Sequence, residues 1–390
     1  MALSRRTFLQ DGTRFALALA LNPLLPKAVG GSPDIRRELE SALQEAVRAG
    51  ACPGAAVEVA LHGRRLASAF AGRANLETGG AVGAATLFRI GSLTKQFTAA
   101  LMLKLAAQGK LELDAPVARY LPFFSGKSPF TLRELANHTA GLHSDDSGQG
   151  LPESPTGPPS QVELARVISQ QTPLFDFAPG TAWQYSNANY LVLGAVIEQV
   201  AGKPLGEVAS ELLFRPLGLD RTAFDTAAAV VPGRADGYTP VPGRPGAYEH
   251  AAFLPISQAG GAGAMRSDGS DLCRWHQALF GHRLFGPEWL HWMVTPGRLR
   301  DGRLSGSHRF RPEDASYGEV QYGMGFLLPP PGDGHPSVLH YGFISGFSAC
   351  LETFYEAGLT TAILCNADPG PGLPFHAVRR LVARRILPAL

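Results

Sequence analysis

Hydrophobic residues run almost without interruption from 93 to 107, and Lys95 is one of the few polar residues in this run. A segment that is apolar on nearly every side is typical of a helix buried in a protein core. Residues 88–90 before it are typical of a strand end, and Gly91 of a turn. The pattern therefore predicts a strand, a turn and a buried helix that begins at Ser92, with Lys95 inside the protein.

Hydrophobic periodicity in the rest of the chain predicts strands near both ends and helices between them. The predicted strands are 55–61, 65–71, 87–90, 337–340, 347–354 and 359–366. The predicted helices are 35–47, 132–137, 162–170, 190–201, 205–213, 270–280 and 375–387. This order predicts one sheet built from two terminal segments, about 31–91 and 300–390, with a mainly helical region, about 92–299, inserted between them.

The first 30 residues have the pattern of an export signal. Residues 4–10, SRRTFLQ, resemble a twin-arginine motif, and an apolar run over 15–25 and small residues at 28–30 follow it. The apolar run is about 11 residues long, whereas a membrane-spanning helix needs roughly 18 or more. We therefore expect a twin-arginine signal peptide over 1–30, a periplasmic or secreted mature protein over 31–390, and no stable membrane anchor. An untargeted N-terminus is the alternative.

Composition narrows the function classes. The chain has 390 residues, 45% of them hydrophobic, and a net charge of +2, with basic and acidic residues interspersed. Basic runs with interleaved aromatic residues are absent from the sequence, so nucleic acid is not an expected partner. The four cysteines have no metal-ligand spacing. We predict no metal site and buried free thiols, although a disulfide between Cys350 and Cys365 is conceivable.

Ser92 and Lys95 form a candidate nucleophile and base. Residues three apart on a helix share one face, so the Lys95 amine can reach the Ser92 hydroxyl. A lysine takes a proton only as the free amine, and burial favours that form. Backbone N–H groups at the start of the helix are also suited to holding an oxyanion. Alone, the same spacing also fits an N-capping serine with an unrelated lysine.

Two later motifs supply further polar groups. Tyr185-Ser186-Asn187 is the only Tyr-x-Asn in the chain and precedes a predicted helix, so its phenol can relay protons while its amide holds a substrate carbonyl. His340-Tyr341-Gly342 ends a predicted strand, and its glycine allows a substrate to lie along the strand edge. The N–H of Phe343 is a candidate second oxyanion donor. Alone, the first motif also fits a local turn and the second a packed core histidine.

Together, Ser-x-x-Lys, Tyr-x-Asn and His-x-Gly resemble the three active-site motifs of the penicillin-recognising serine hydrolases. The resemblance is to the class C β-lactamase branch, which also holds D-Ala-D-Ala carboxypeptidases, D-amino-acid peptidases and esterases. It covers about residues 34–390 and includes further stretches at 132–142, 179–180, 216–219, 261–271 and 322–326.

The resemblance implies an α/β fold of the β-lactamase/transpeptidase type, in which helices flank an antiparallel sheet and the active site lies between the sheet region and the inserted helical region. It implies no cofactor, and a small-molecule or peptide substrate: a D-alanyl peptide, an ester or a β-lactam. Carried over by position, Ser92 is acylated, Lys95 and Tyr185 share proton transfer, and Asn187 orients the substrate. His340, Gly342 and Phe343 then form the opposite wall.

Two departures from the family pattern change the expected substrates. The last lysine is Lys203, so the Lys-Thr-Gly of true class C β-lactamases is absent, and His340 stands where its lysine would be. An ordinary histidine is mostly neutral above pH 7, so we expect weak carboxylate recognition that strengthens towards pH 6. We also expect the Tyr341 ring to narrow the cleft. Both expectations favour esters or D-amino-acid derivatives over β-lactams.

Other function classes fit the sequence less well. A true class C β-lactamase and a catalytically silent peptidoglycan- or peptide-binding homologue remain the alternatives, but a binding module has no need of Lys95 and Tyr185 beside a serine. The chain lacks the G-x-S-x-G of α/β-hydrolases and the H-E-x-x-H of zinc hydrolases.

Overall fold

A seven-stranded antiparallel sheet forms the centre of the fold. The computed structural model describes residues 33–143, 159–330 and 335–390, so the predicted signal peptide lies outside the described residues. The sheet has the order β2-β1-β12-β11-β10-β9-β8. Its strands are β1 Gly54–Leu61, β2 Arg64–Gly72, β8 Gln321–Tyr322, β9 Leu327–Leu328, β10 Ser337–Ile344, β11 Phe347–Phe354 and β12 Leu359–Cys365. Segments from both ends of the chain therefore pair in one sheet, as predicted.

The two faces of the sheet are covered by different layers. Helix α1, Pro33–Arg48, and the C-terminal helix α11, Phe375–Leu381, pack on one face, and Leu39 and Leu43 of α1 are fully buried there. The helical region covers the other face with the larger core cluster. Because both faces are covered, β1, β11 and β12 are buried along nearly their whole length, which explains why their sequences do not alternate between apolar and polar residues.

The helical region surrounds the predicted buried helix. This helix, α2, spans Thr94–Ala107, and eleven of its residues are buried, Lys95 among them. The remaining helices are α3 Leu132–Ala136, α4 Gln161–Ile168, α5 Asn187–Ala201, α6 Leu205–Ala209, α7 Arg215–Leu217, α8 Gly260–Gly263, α9 Gly269–Phe280 and α10 Pro287–Val294. Capping boxes from Thr131 and Ser160 fix the starts of α3 and α4.

Two small sheets complete the described part of the fold. One has the order β3-β7-β4, from Phe88–Arg89, Met265–Ser267 and Ala223–Phe224, and the other pairs β5 Tyr238–Pro240 with β6 Tyr248–His250. Strand β3 leads directly into the turn that carries Ser92. The mixed architecture with an antiparallel sheet and flanking helices confirms the predicted fold class. The division at about residues 91 and 300 stays a prediction.

The four cysteines are free and buried, which agrees with the predicted buried thiols. In the residues that the structure describes, no helix is both long enough and apolar enough to cross a membrane.

Candidate active site

Ser92 lies on a short 3-10 turn, Gly91–Leu93, between β3 and α2. The predicted helix start is therefore early by two residues, because α2 begins at Thr94 and Ser92 does not cap it. Gly91 has a φ of 49°, and a Cβ on it would lie 2.8 Å from the backbone nitrogen of Phe343. This glycine allows the turn to approach strand β10 closely. The Ser92 side chain is half-buried at the junction of sheet and helical region.

Lys95 is fully buried one turn after Ser92 and has three polar neighbours. Its Nζ lies 3.0 Å from Ser92 Oγ, 2.8 Å from Asn187 Oδ1 and 2.9 Å from the carbonyl oxygen of Ala262. The two motifs that supply Ser92, Lys95 and Asn187 therefore meet at one amine.

The protonation state of Lys95 follows from these contacts. Burial lowers its pKa well below the ordinary range of a lysine, which favours the neutral amine. A neutral amine has two N–H donors and one lone pair, whereas Asn187 Oδ1 and the Ala262 carbonyl can only accept. Both donors are used by these two oxygens, so the lone pair is left for the Ser92 hydroxyl. The arrangement makes Ser92 the donor and Lys95 the acceptor, as a general base requires.

The Ala262 carbonyl is held by a Gly-rich turn, Gly260–Gly263, which is helix α8. Thr98 Oγ1 donates to the Gly261 carbonyl at 2.7 Å, and Gln161 Oε1 accepts from the Gly261 N–H at 2.9 Å. Both anchoring side chains are buried. Sequence reasoning missed this third partner of Lys95, because a backbone carbonyl has no residue signature. The run of glycines was the only available signal.

Tyr185 is half-buried beside the amine. The centre of its ring lies 4.8 Å from Lys95 Nζ and 4.4 Å from the ring of His138. The rings of Tyr322 and His340 lie 6.2 and 6.1 Å away. His138 is fully buried, and its Nδ1 accepts from the Ser186 N–H at 3.2 Å, which ties it to the loop that carries Tyr185. The Tyr-x-Asn loop is thus packed against the same site as Ser92 and Lys95.

His340 is buried and has a hydrogen-bond partner at each ring nitrogen. Its Nδ1 lies 2.5 Å from the Tyr341 carbonyl oxygen, and its Nε2 lies 3.1 Å from the Tyr322 hydroxyl. A carbonyl can only accept, so Nδ1 carries the proton and Nε2 accepts from Tyr322. Burial lowers the pKa of His340 to about 3. The expected strengthening of carboxylate recognition towards pH 6 is therefore wrong, because His340 stays neutral there.

Tyr341 does not narrow the cleft beside Ser92, contrary to expectation. Its half-buried ring lies between those of Phe343 and Phe375, at centre distances of 6.1 and 6.0 Å. Its hydroxyl accepts from Arg379 at 3.3 Å, and the same guanidinium forms a two-pronged pair with the buried Glu352 at 2.7 and 3.0 Å. Arg379, the cation on this side of β10, is thus already neutralised.

The cleft itself lies over Ser92, with a volume of about 360 Å³. Asn187, Phe343 and Ser92 line it, whereas His340 and Gly342 do not. Gly342 has a different role: a Cβ there would lie 1.9 Å from the Ile90 carbonyl, so only glycine lets β10 approach the Ser92 turn. Sequence reasoning also missed the segment 252–263, which supplies Phe253, Leu254 and Gln258 to the opposite wall.

Comparison with known proteins places this geometry in a family. The family model Beta-lactamase matches residues 39–384, which include Ser92, Lys95, Tyr185 and His340. The chain belongs to the Beta-lactamase family. The resemblance predicted from the three motifs is confirmed.

Individual members of the Beta-lactamase family extend this result. Esterase EstB of Burkholderia gladioli is 33% identical over 84% of this chain and 89% of its own length. The putative penicillin-binding protein PbpX of Bacillus subtilis is 29% identical over 72% of this chain. This chain covers only 61% of the length of PbpX. The structure of a D-stereospecific amidohydrolase from Streptomyces superposes on this protein with a TM-score of 0.71 and 29% sequence identity. The superposition covers 90% of this chain and 98% of the amidohydrolase chain. The predicted assignment to the hydrolases of this family is confirmed.

Proposed function

We propose that this protein is a periplasmic or secreted serine hydrolase that transfers an acyl group through an acyl-Ser92 intermediate. The substrates we propose are D-alanyl peptides, esters or β-lactams, with esters or D-amino-acid derivatives preferred. One observation carries the proposal: the amine of a fully buried Lys95 lies 3.0 Å from Ser92 Oγ and has its two donors engaged elsewhere. An N-capping serine with an unrelated lysine would have no such contact.

The acylation step follows from this contact. Ser92 Oγ forms a bond to the substrate carbonyl carbon while its proton passes to Lys95 Nζ. The carbonyl electrons move to oxygen, where the backbone N–H groups of Ser92 and Phe343 are the candidate donors. The bond to the leaving group then breaks, and the leaving group takes the proton from Lys95, with Tyr185 as the relay. Asn187 lines the cleft and orients the substrate.

Deacylation repeats the same chemistry with water. A water oxygen forms a bond to the acyl carbon while its proton passes to Lys95, with Tyr185 as the relay. The bond between that carbon and Ser92 Oγ then breaks, and Ser92 Oγ takes the proton back from Lys95 as the acid leaves. Because one base serves both halves, loss of Lys95 should impair acylation and deacylation together.

The names of relatives support an ester or amide substrate: one is an esterase and another a D-stereospecific amidohydrolase. The chain also lacks the Lys-Thr-Gly of true class C β-lactamases, and Arg379, which lies beside β10, is paired with Glu352. These observations favour a neutral substrate over a β-lactam, which bears a carboxylate.

The test is to mix the purified protein with a fluorescent penicillin, a chromogenic cephalosporin and a short-chain nitrophenyl ester, and to compare covalent labelling with turnover. We expect ester turnover and Ser92-dependent labelling, with slow cephalosporin hydrolysis. Rapid cephalosporin hydrolysis would identify a true β-lactamase. The absence of both labelling and turnover would identify a catalytically silent binding homologue.

A further inference from the structure

Exposed phenylalanines are concentrated at the entrance of the Ser92 cleft. In the residues that the structure describes, three phenylalanines are exposed: Phe253 at 76%, Phe343 at 46% and Phe310 at 45%. Phe253 and Phe343 both line the cleft, whereas Phe310 does not. Exposed large apolar side chains beside a concave site mark a surface that is covered when a partner or ligand binds.

Phe253, Leu254, Phe343 and Ile344 form what we call the apolar mouth of the cleft. The two halves of the mouth are joined, because Ser345 Oγ donates a hydrogen bond to the Ala252 carbonyl. The Ala251 N–H also donates to the Gly237 carbonyl at 3.1 Å, which fixes the base of the Phe253 segment. The aromatic rings are therefore presented by backbone that is held in place.

Charge is missing from this cleft. Among the described residues, none of those that line it is an Asp, Glu, Lys or Arg. Lys95 is fully buried with its polar contacts made, and Arg379 is paired with Glu352. A carboxylate brought into the mouth would lose water without gaining a cation, whereas an apolar group would gain by leaving water.

From these observations we infer that the apolar mouth binds an uncharged, apolar substituent next to the scissile carbonyl, and that the protein prefers neutral substrates with such a group. The inference rests on the proposed function and names its substrate class. The structure does not require the substituent to belong to the acyl or to the alcohol side, so both are tested.

The wild-type protein alone provides the first test. Methyl esters of acids from acetate to hexanoate vary the acyl side, and acetate esters of alcohols from methanol to hexanol vary the other. In at least one series, kcat/KM should rise about two- to fourfold for each methylene, as expected for partial to complete burial of that group. Monomethyl adipate, which carries a carboxylate where methyl hexanoate carries a methyl group, should be hydrolysed at least tenfold less efficiently at pH 7.

Variants locate the effect. Phe253→Ala and Phe343→Ala should each flatten the rise with chain length, and Phe310→Ala, at a ring about as exposed as that of Phe343 but outside the cleft, should keep it. Substitutions at exposed positions normally preserve the fold, and thermal melts check this. Equal slopes in all four proteins, or equal rates for methyl hexanoate and monomethyl adipate, would overturn the inference while leaving the serine mechanism intact. Failure of the proposed function would instead appear as no Ser92-dependent turnover of any ester.

Discussion

The floor and the apolar mouth of the Ser92 cleft are built in opposite ways. The floor, formed by Ser92, Lys95, Asn187 and the Ala262 carbonyl, is polar, and the three groups around Lys95 lie within 3.0 Å of its amine. The mouth is apolar, exposed and free of charge. Loss of a hydrogen-bond partner from a buried polar group destabilises the protein strongly. An exposed aromatic ring contributes binding free energy only when a substrate buries it. Changes in the floor should therefore affect the chemistry, and changes in the mouth the choice of substrate.

The largest effect is expected from Ser92→Ala in the floor. Removal of Oγ removes the atom that is acylated, so kcat should fall by roughly four to six orders of magnitude, as for other covalent nucleophiles. Lys95 keeps two of its three partners, so the melting temperature should change by no more than about 3 °C. The measurement is ester hydrolysis with a parallel thermal melt. Near wild-type turnover by this variant would show that Ser92 is not the nucleophile.

Lys95→Ala should be nearly as damaging, because Ser92 and Lys95 act as one proton-transfer unit. In the double variant, the two effects should not add in free energy. The measurement is a double-mutant cycle on kcat/KM. Strictly additive losses would indicate that Lys95 has only a structural part.

Asn187→Asp should alter the pH dependence of the floor without removing a contact atom. A carboxylate 2.8 Å from Nζ stabilises the ammonium and so raises the pKa of Lys95. The acid limb of the kcat/KM profile should move to higher pH by about one unit or more, which lowers activity about tenfold at the pH values on that limb. Asn187→Ala is the control. Loss of a hydrogen-bond acceptor destabilises the ammonium form of Lys95, so this variant cannot move the acid limb to higher pH. A limb at the same pH in all three proteins would exclude Lys95 as the titrating base.

His340 should affect stability more than pH-dependent catalysis. Its pKa is lowered by burial to about 3 in the folded protein, below the ordinary value of about 6.5. The unfolded chain therefore binds the extra proton, so stability is present above about pH 6.5 and is lost as the pH falls towards 3, by about 1.4 kcal/mol for each unit. His340→Gln should lose less stability than wild type between pH 7 and 4.5, measured by urea unfolding.

The control for this experiment is His250→Gln, at an exposed histidine whose pKa is raised by the hydrogen bond that its ring donates to Glu77. The His250→Gln variant should lose no less stability than the wild type between pH 7 and 4.5. If His340→Gln lost stability as steeply as wild type, His340 would not be neutral in the folded protein.

Sequence patterns predicted the parts of the molecule that local chemistry determines. The buried helix, the terminal strands and the closeness of Ser92 to Lys95 follow from hydrophobic period and helical spacing, and the structure contains all of them. The His340 environment could not be predicted, because its Nε2 is paired with the Tyr322 hydroxyl through a tertiary contact that no local pattern indicates.

The apolar mouth and the Gly-rich turn were also beyond sequence reasoning. Phe253 lies in an irregular segment without periodicity, and its place beside Ser92 depends on the contact of Ala252 with Ser345. The Ala262 carbonyl acts through its backbone, which every residue type has. Such contacts arise from tertiary packing and leave no pattern in a single sequence.

The most direct measurement of the central claim is the rate at which a fluorophosphonate labels the protein as the pH is raised from 5.5 to 10, with the labelled peptide identified by mass spectrometry. A buried, neutral Lys95 predicts labelling of Ser92 that is already near its plateau at pH 7 to 8, and almost none in Lys95→Ala. Labelling of another serine, or a Ser92 rate that climbs about tenfold per unit up to pH 10 as for an ordinary lysine, would contradict it.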